Sequence, residues 1–269
     1  MLVTVTLAGI ILITAVLAYS VDWLAEYVPY EYEKSIAKSF KSNEAERNLV
    51  DDYLQSLSDE VARQMDLPEG MDITAHYVDQ DIVNAMATLG GHIFIYRGLL
   101  EKLPHENALV MLLGHEIGHI KLRHPIRGLG KGVVISLALA ALLGQSSDAA
   151  TGLLVDTSTL TLLSFSREQE ELADIEGLQA SNNYYQHVEG VDDLFMVLID
   201  EQDEQGVHVP QIMSSHPDTK RRISLINQVA NEHQWLSNGA LIQIPEDVKK
   251  KLSDDSQRHN TSSNKSADE

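Results

Sequence analysis

The chain has 269 residues, enough for one large domain or two small ones and for a core that needs no covalent staple. It contains no cysteine, which excludes disulfide scaffolds, Cys-ligated zinc, iron–sulfur clusters and thiol nucleophiles. With 40 acidic against 20 basic residues, a formal charge of −20 and 6% aromatics, it repels phosphate backbones and has little for bases to stack on, so no nucleic-acid partner is expected.

In chain order, the first element predicted is an uncharged apolar run from Leu2 to Tyr19. As a helix it is about 27 Å long, close to the thickness of a bilayer core. It reads as an N-terminal anchor or as a signal segment cut near Ala18-Tyr19-Ser20, and its length favours the anchor. Asp22, Glu26, Glu31 and Glu33 follow before any base, so charge placement leans toward a body on the non-cytoplasmic side. Ala45 to Met65 carries Leu49, Val50, Leu54, Leu57 and Val61 on one face of a helix. Ile73 to Val78 alternates as a short strand, and Gly90-Gly91 turns into a second strand at His92 to Tyr96. Pro104 opens a helix to about Leu122. Gly132 to Leu143 is apolar but too short to span a bilayer alone, so it packs in the core or dips into an interface. Further helices are predicted at Ser166 to Ala180, broken at Ser181 to Tyr185, and at Val191 to Gln202 and Asp218 to Val229. From Asp247 the chain is polar to its end and reads as a solvated tail. The fold expected is mainly α with a small β-sheet, an α+β domain over 21–245 between the N-terminal segment (1–20) and a disordered tail (246–269).

The chemistry concentrates in His115-Glu116-Ile117-Gly118-His119. Residues four apart on a helix lie on one face, so two imidazoles project from adjacent turns to a common point, as a zinc ion requires. Glu116 is offset about 100° from His115, where it flanks the metal without ligating it and a base for the attacking water belongs. Downstream, Glu170 and Asp174 repeat the four-residue spacing. Glu170 is available as a third ligand and Asp174 as acceptor of a ligand histidine's free N–H, unless the run Glu168 to Asp174 is simply a solvated acidic face. His124 is five residues beyond His119, which on a continuous helix turns it away from the metal. His76, His105, His187, His208 and His233 match no spacing and are expected on the surface.

Four blocks together resemble the family 48 zinc metallopeptidases of the gluzincin type, the group that includes HtpX, the CAAX prenyl protease and BepA. They are Asn84-Ala85 with Gly90 to Leu100, Gly114 to His119 with His124 following, Ser166 to Asp174, and His216-Pro217 with Arg222-Ile223. The resemblance covers roughly residues 25 to 230 with the blocks in the family's order. It implies a zincin-like domain with one Zn2+ per subunit, third ligand Glu170 and supporting acid Asp174. It also implies that His216 or Arg222 donates to the oxyanion, which makes them catalytic beside Glu116. The family's strand suggests that substrate is added as an extended strand along an exposed edge, which assigns Gly91, His92, Ile93 and Phe94 to substrate binding.

The resulting expectation is a zinc-dependent endopeptidase with polypeptide substrates, unfolded or membrane-associated, attached to the membrane through its N-terminal segment. A non-catalytic chaperone-like or binding protein that keeps the zincin fold is the alternative, and Glu116 in the position of a base argues against it.

Overall fold

The computed structural model describes residues 2–39, 47–143, 165–205 and 219–266. Helix α1 (Leu2–Leu24) runs five residues beyond the predicted apolar segment and passes through a 3-10 turn, Ala25–Tyr27, to α2 (Tyr30–Ser39). Among the described residues, Ala8–Tyr27 is long and apolar enough to cross a membrane, and almost none of it is covered by the rest of the chain. Ile11, Leu12, Ile13, Val16 and Trp23 are all exposed.

Helix α3 (Leu49–Ala62) begins at a capping box, in which Asn48 accepts from the amides of Val50 and Asp51 while Asp51 accepts from the amide of Asn48. The apolar face predicted for it is the buried one, with Val50, Leu54, Leu57 and Val61 in the core. The three strands are β1 (Thr74–Val78), β2 (Ala85–Ala87) and β3 (His92–Tyr96). They form one sheet in the order β1-β3-β2, with β1 parallel and β2 antiparallel to β3. The expected edge strand at His92 to Tyr96 is therefore the middle strand, hydrogen-bonded on both sides. Gly90 and Gly91, with φ of 74° and 84°, serve internal packing: a Cβ on Gly91 would lie 2.0 Å from the Asp72 carbonyl oxygen and 2.4 Å from the Tyr30 hydroxyl.

After α4 (Arg97–Lys102) comes the central helix α5 (Glu106–Lys121), buried without interruption from Asn107 to Ile120. Its cap is His105, whose Nδ1 accepts from the Ala108 amide, so the helix starts two residues after Pro104. Helix α6 (His124–Leu143) follows almost at once and lies along α1. Lys131 pairs with Asp22 at 2.7 Å and Arg127 with Glu26 at 3.1 Å, and a Cβ on Gly130 would meet Val21 at 2.7 Å. The apolar stretch from Gly132 is thus the far half of α6, the helix that lies along α1, with Ile135 exposed.

Helix α7 (Arg167–Tyr185) opens with a second capping box, Ser166 with Gln169. The break predicted at Ser181 to Tyr185 does not occur, because the Ser181 hydroxyl turns inward onto the Gly177 carbonyl at 2.9 Å and the helix continues to a left-handed Gln186. Helices α8 (Asp193–Gln205) and α9 (Thr219–Glu232) pack against each other. The polar tail also departs from expectation: residues Glu246–Ser266 form helix α10, docked by Val248 and Leu252. Two apolar residues one turn apart suffice because the Asp255 carboxylate, fully buried on the same stripe, is paired with the Tyr77 hydroxyl, Lys251 and Arg258.

Candidate active site

The site lies where α5 and α7 touch along small residues. A Cβ on Gly114 would fall 2.8 Å from the Gly177 Cα, and one on Gly177 would fall 2.9 Å from the His115 amide nitrogen. A Cβ on Gly118 would press on Glu176 and Ala173 at 2.9 and 3.3 Å. Larger side chains would hold the two backbones apart, and glutamate from one helix would not reach histidines on the other.

Across this contact, His115, His119 and Glu170 bring one donor atom each into a single cluster, all three buried. His115 Nε2 is 3.0 Å from His119 Nε2, 3.7 Å from Glu170 Oε2, and His119 Nε2 is 3.4 Å from Glu170 Oε1. Two imidazole nitrogens and a carboxylate converging in a water-excluded pocket form a donor set suited to a divalent cation of the zinc type. The far nitrogens are oriented too. His115 Nδ1 is 3.0 Å from Asp174 Oδ1, so the ring donates there and its Nε2 lone pair faces the cluster. Glu116 is fully buried on the same helix, directly after His115 and three residues before His119.

Arg222 reaches this cluster from α9. Its Nε is 2.7 Å from Asp174 Oδ2, its Nη2 2.6 Å from Asp174 Oδ1, and its Nη1 3.0 Å from Glu170 Oε2. Its guanidinium also lies over the Phe195 ring at 5.0 Å. Burial alone would push the Asp174 carboxyl up, but the Arg222 guanidinium and the His115 hydrogen bond override it and hold the acid below the usual carboxylate range. Arg222, expected as a donor to the oxyanion, is buried and engaged by two carboxylates, Asp174 and Glu170. His216 lies outside the described residues.

His124 also departs from its predicted place. Arg123 takes a left-handed conformation (φ 62°) just past the end of α5 and folds the chain back, so His124 Nδ1 comes 2.8 Å from His119 Nδ1 in a buried contact. Burial pushes the His124 imidazole down to about 4, with Arg127 adding to the fall. Phe165 stacks on the His119 ring, centroids 4.0 Å apart. The helical periodicity used to exclude His124 fails because the helix stops at Lys121. Histidine directly before Pro125 was the available signal of a new segment.

Other histidines expected on the surface are inside as well. His105 is buried with Nε2 2.7 Å from Asp193 Oδ2, His187 is buried, and His76 is half-buried with Nε2 2.9 Å from His92 Nδ1. His233 is exposed, as expected, and His208 lies outside the described residues.

The substrate-binding assignment changes with the sheet order. Backbone groups of His92, Ile93 and Phe94 are committed to β1 and β2. The outer edge of β1 is occupied by α3, since Gln55 Oε1 accepts from the Ala75 amide and Asp51 Oδ1 from the Tyr77 amide. On β2, Thr88 donates to His92 and Asn84 accepts from Tyr96, so Asn84, Met86 and Thr88 face β3 and the backbone groups of Ala85 and Ala87 face the other way. Strand β2 packs on α5.

Comparison with known proteins agrees with this geometry. The chain is 26% identical over 166 residues to the Beta-barrel assembly-enhancing protease of Escherichia coli (strain K12), covering 58% of this chain and 34% of that protein. It is 26% identical over 205 residues to Metalloendopeptidase OMA1, mitochondrial, of Danio rerio, covering 71% of this chain and 42% of that one. To Mitochondrial metalloendopeptidase OMA1 of Arabidopsis thaliana it is 33% identical over 115 residues, covering 41% of this chain and 22% of the relative. The chain thus spans less than half the length of each. The model of Peptidase family M48 matches residues 48–230, which contain α3, the sheet, both helices of the His-His-Glu cluster and most of the helix that carries Arg222. With a buried His-His-Glu cluster inside that span, the chain belongs to peptidase family M48, a family of metallopeptidases.

Proposed function

We propose that the protein is a zinc-dependent endopeptidase that cleaves unfolded or membrane-associated polypeptides, with His115, His119 and Glu170 holding one Zn2+. The observation that carries this reading is the convergence of three buried donors from two helices, with a fully buried glutamate directly following the first of them. Zinc held there supplies Lewis-acid polarisation of a peptide carbonyl and acidifies a water. Glu116 takes the proton of the attacking water on a carboxylate oxygen and returns it to the departing amine nitrogen. Asp174 holds His115 by its Nδ1–H, and Arg222 holds Asp174 and Glu170. His216 is the proposed donor to the oxyanion of the tetrahedral species.

Substrate is proposed to bind as an extended peptide read through its main chain without regard to sequence, at a place other than Ala85 and Ala87, which are buried. That mode suits substrates that are already unfolded. We further place the protein on a membrane through α1, with its body on the non-cytoplasmic side and the far half of α6 entering the same apolar layer. Exposed Trp23 at the body end of α1, and exposed Tyr27 and Tyr32 in the turn and helix that follow, suit the lipid–water boundary.

The test is metal analysis of the purified full chain beside cleavage of unfolded casein, with and without a chelator. One zinc per chain and chelator-sensitive cleavage restored by added zinc are expected. A metal-loaded chain that leaves casein intact would favour the non-catalytic alternative.

A further inference from the structure

The metal helix does not simply end at Lys121; it is tied off. Arg123, in its left-handed conformation, directs its guanidinium toward the segment that follows the N-terminal helix. Its Nε is 2.7 Å from Glu33 Oε1, its Nη2 donates to the Val28 carbonyl at 2.7 Å, and its guanidinium lies 5.7 Å from the centre of the Tyr30 ring. Glu33 is buried and also accepts from the Gly90 amide, at the turn into β3. One buried carboxylate therefore links the base of the N-terminal helix, the end of the metal helix and the sheet.

The next residue after Arg123 is His124, whose Nδ1 lies 2.8 Å from His119 Nδ1. His119 presents Nε2 to the donor cluster, so its Nδ1 carries the proton and His124 Nδ1 is the acceptor. On the other ligand the same task belongs to Asp174, which receives His115 Nδ1. The two histidines thus differ in support: one is held by a carboxylate, the other by a neutral ring.

We propose that His124 is the positioning residue of the ligand His119, and that Arg123, clamped by Val28 to Glu33, sets His124 in place, so that the membrane-proximal segment belongs to the support of the metal site. The proposal rests on the metal site described above and adds its wiring to the N-terminal helix. A partner that orients a ligand imidazole commonly changes metal affinity by about 10–100-fold when removed.

The test uses the full chain in detergent, stripped of metal and titrated with Co2+ against a chromophoric chelator, so that affinity is read independently of catalysis. His124→Leu keeps the volume and loses the acceptor, and it should weaken Co2+ binding about 10–100-fold. His124→Asn keeps an acceptor oxygen and should stay within roughly tenfold of the wild type, well above the Leu variant. Thermal unfolding of the metal-free proteins checks that both remain folded. Arg123→Gly, which tolerates the left-handed backbone, should also weaken binding. Wild-type affinity in His124→Leu, or equal losses in Leu and Asn, overturns the role of His124. Wild-type affinity in Arg123→Gly overturns the part assigned to the clamp. A wild-type chain that binds no Co2+ overturns the metal-site reading itself, and this proposal with it.

Discussion

Arg222 grips the Asp174 carboxylate edge-on, with Nε 2.7 Å from one oxygen and Nη2 2.6 Å from the other, while its Nη1 stands 3.0 Å from Glu170. A fork of this shape neutralises two buried acids that would otherwise repel each other beside the cluster. Arg222→Ala should therefore weaken metal binding by about 10–100-fold, and Arg222→Lys should recover little because a point charge cannot match the fork. Equilibrium metal titration checks this. A donor aimed at the oxyanion would behave differently, lowering kcat with metal affinity unchanged.

The approach of α5 to α7 leaves no room for a methyl group at Gly177, where a Cβ would sit 2.9 Å from the His115 amide nitrogen and 3.0 Å from the Met111 carbonyl oxygen. Both are backbone atoms and cannot swing aside. Gly177→Ala should cost about 1–3 kcal/mol of stability by overpacking, partly offset by the better helix propensity of alanine. It should also weaken metal binding, because it separates Glu170 from the two histidines. Chemical denaturation and metal titration of the same protein read the two effects.

Glu116→Gln keeps the size of the side chain and removes its ability to accept a proton. Cleavage of unfolded casein should fall by about 10²–10⁴-fold while zinc content stays near that of the wild type. Near-normal turnover in this variant would remove Glu116 from the mechanism.

For the membrane, the expected result is that the full chain stays in the pellet after carbonate extraction and keeps its N-terminal residues. Leu12, exposed in the middle of α1, gives the sharper test. Leu12→Lys places a charge at the centre of the span, costing about 2.5–3.5 kcal/mol on insertion scales, and should shift protein to the soluble fraction. A tag after Glu269 should be digested by external protease on spheroplasts. A tag protected until the membrane is broken would place the body on the cytoplasmic side.

The membrane-length apolar helix, the α-rich character and the two pairs at four-residue spacing were legible along the chain, because each depends on local periodicity. Four residues make one helical turn whatever surrounds them, so His115 with His119, and Glu170 with Asp174, share a face as soon as the helices form. Which of those faces meet is a nonlocal matter, decided by Gly114 and Gly177, which let the helices close to contact. Strand order is nonlocal too. His92 to Tyr96 reads as a strand, but its central position follows from two partners at different distances along the chain. The polar C-terminal segment is held as a helix by two apolar residues and one buried carboxylate, too few to register as a pattern. His124 faces His119 because Arg123 reverses the chain, and Arg123 is held there by Glu33, some ninety residues earlier. Periodicity carries no information across such a reversal; only the packed structure brings those residues together.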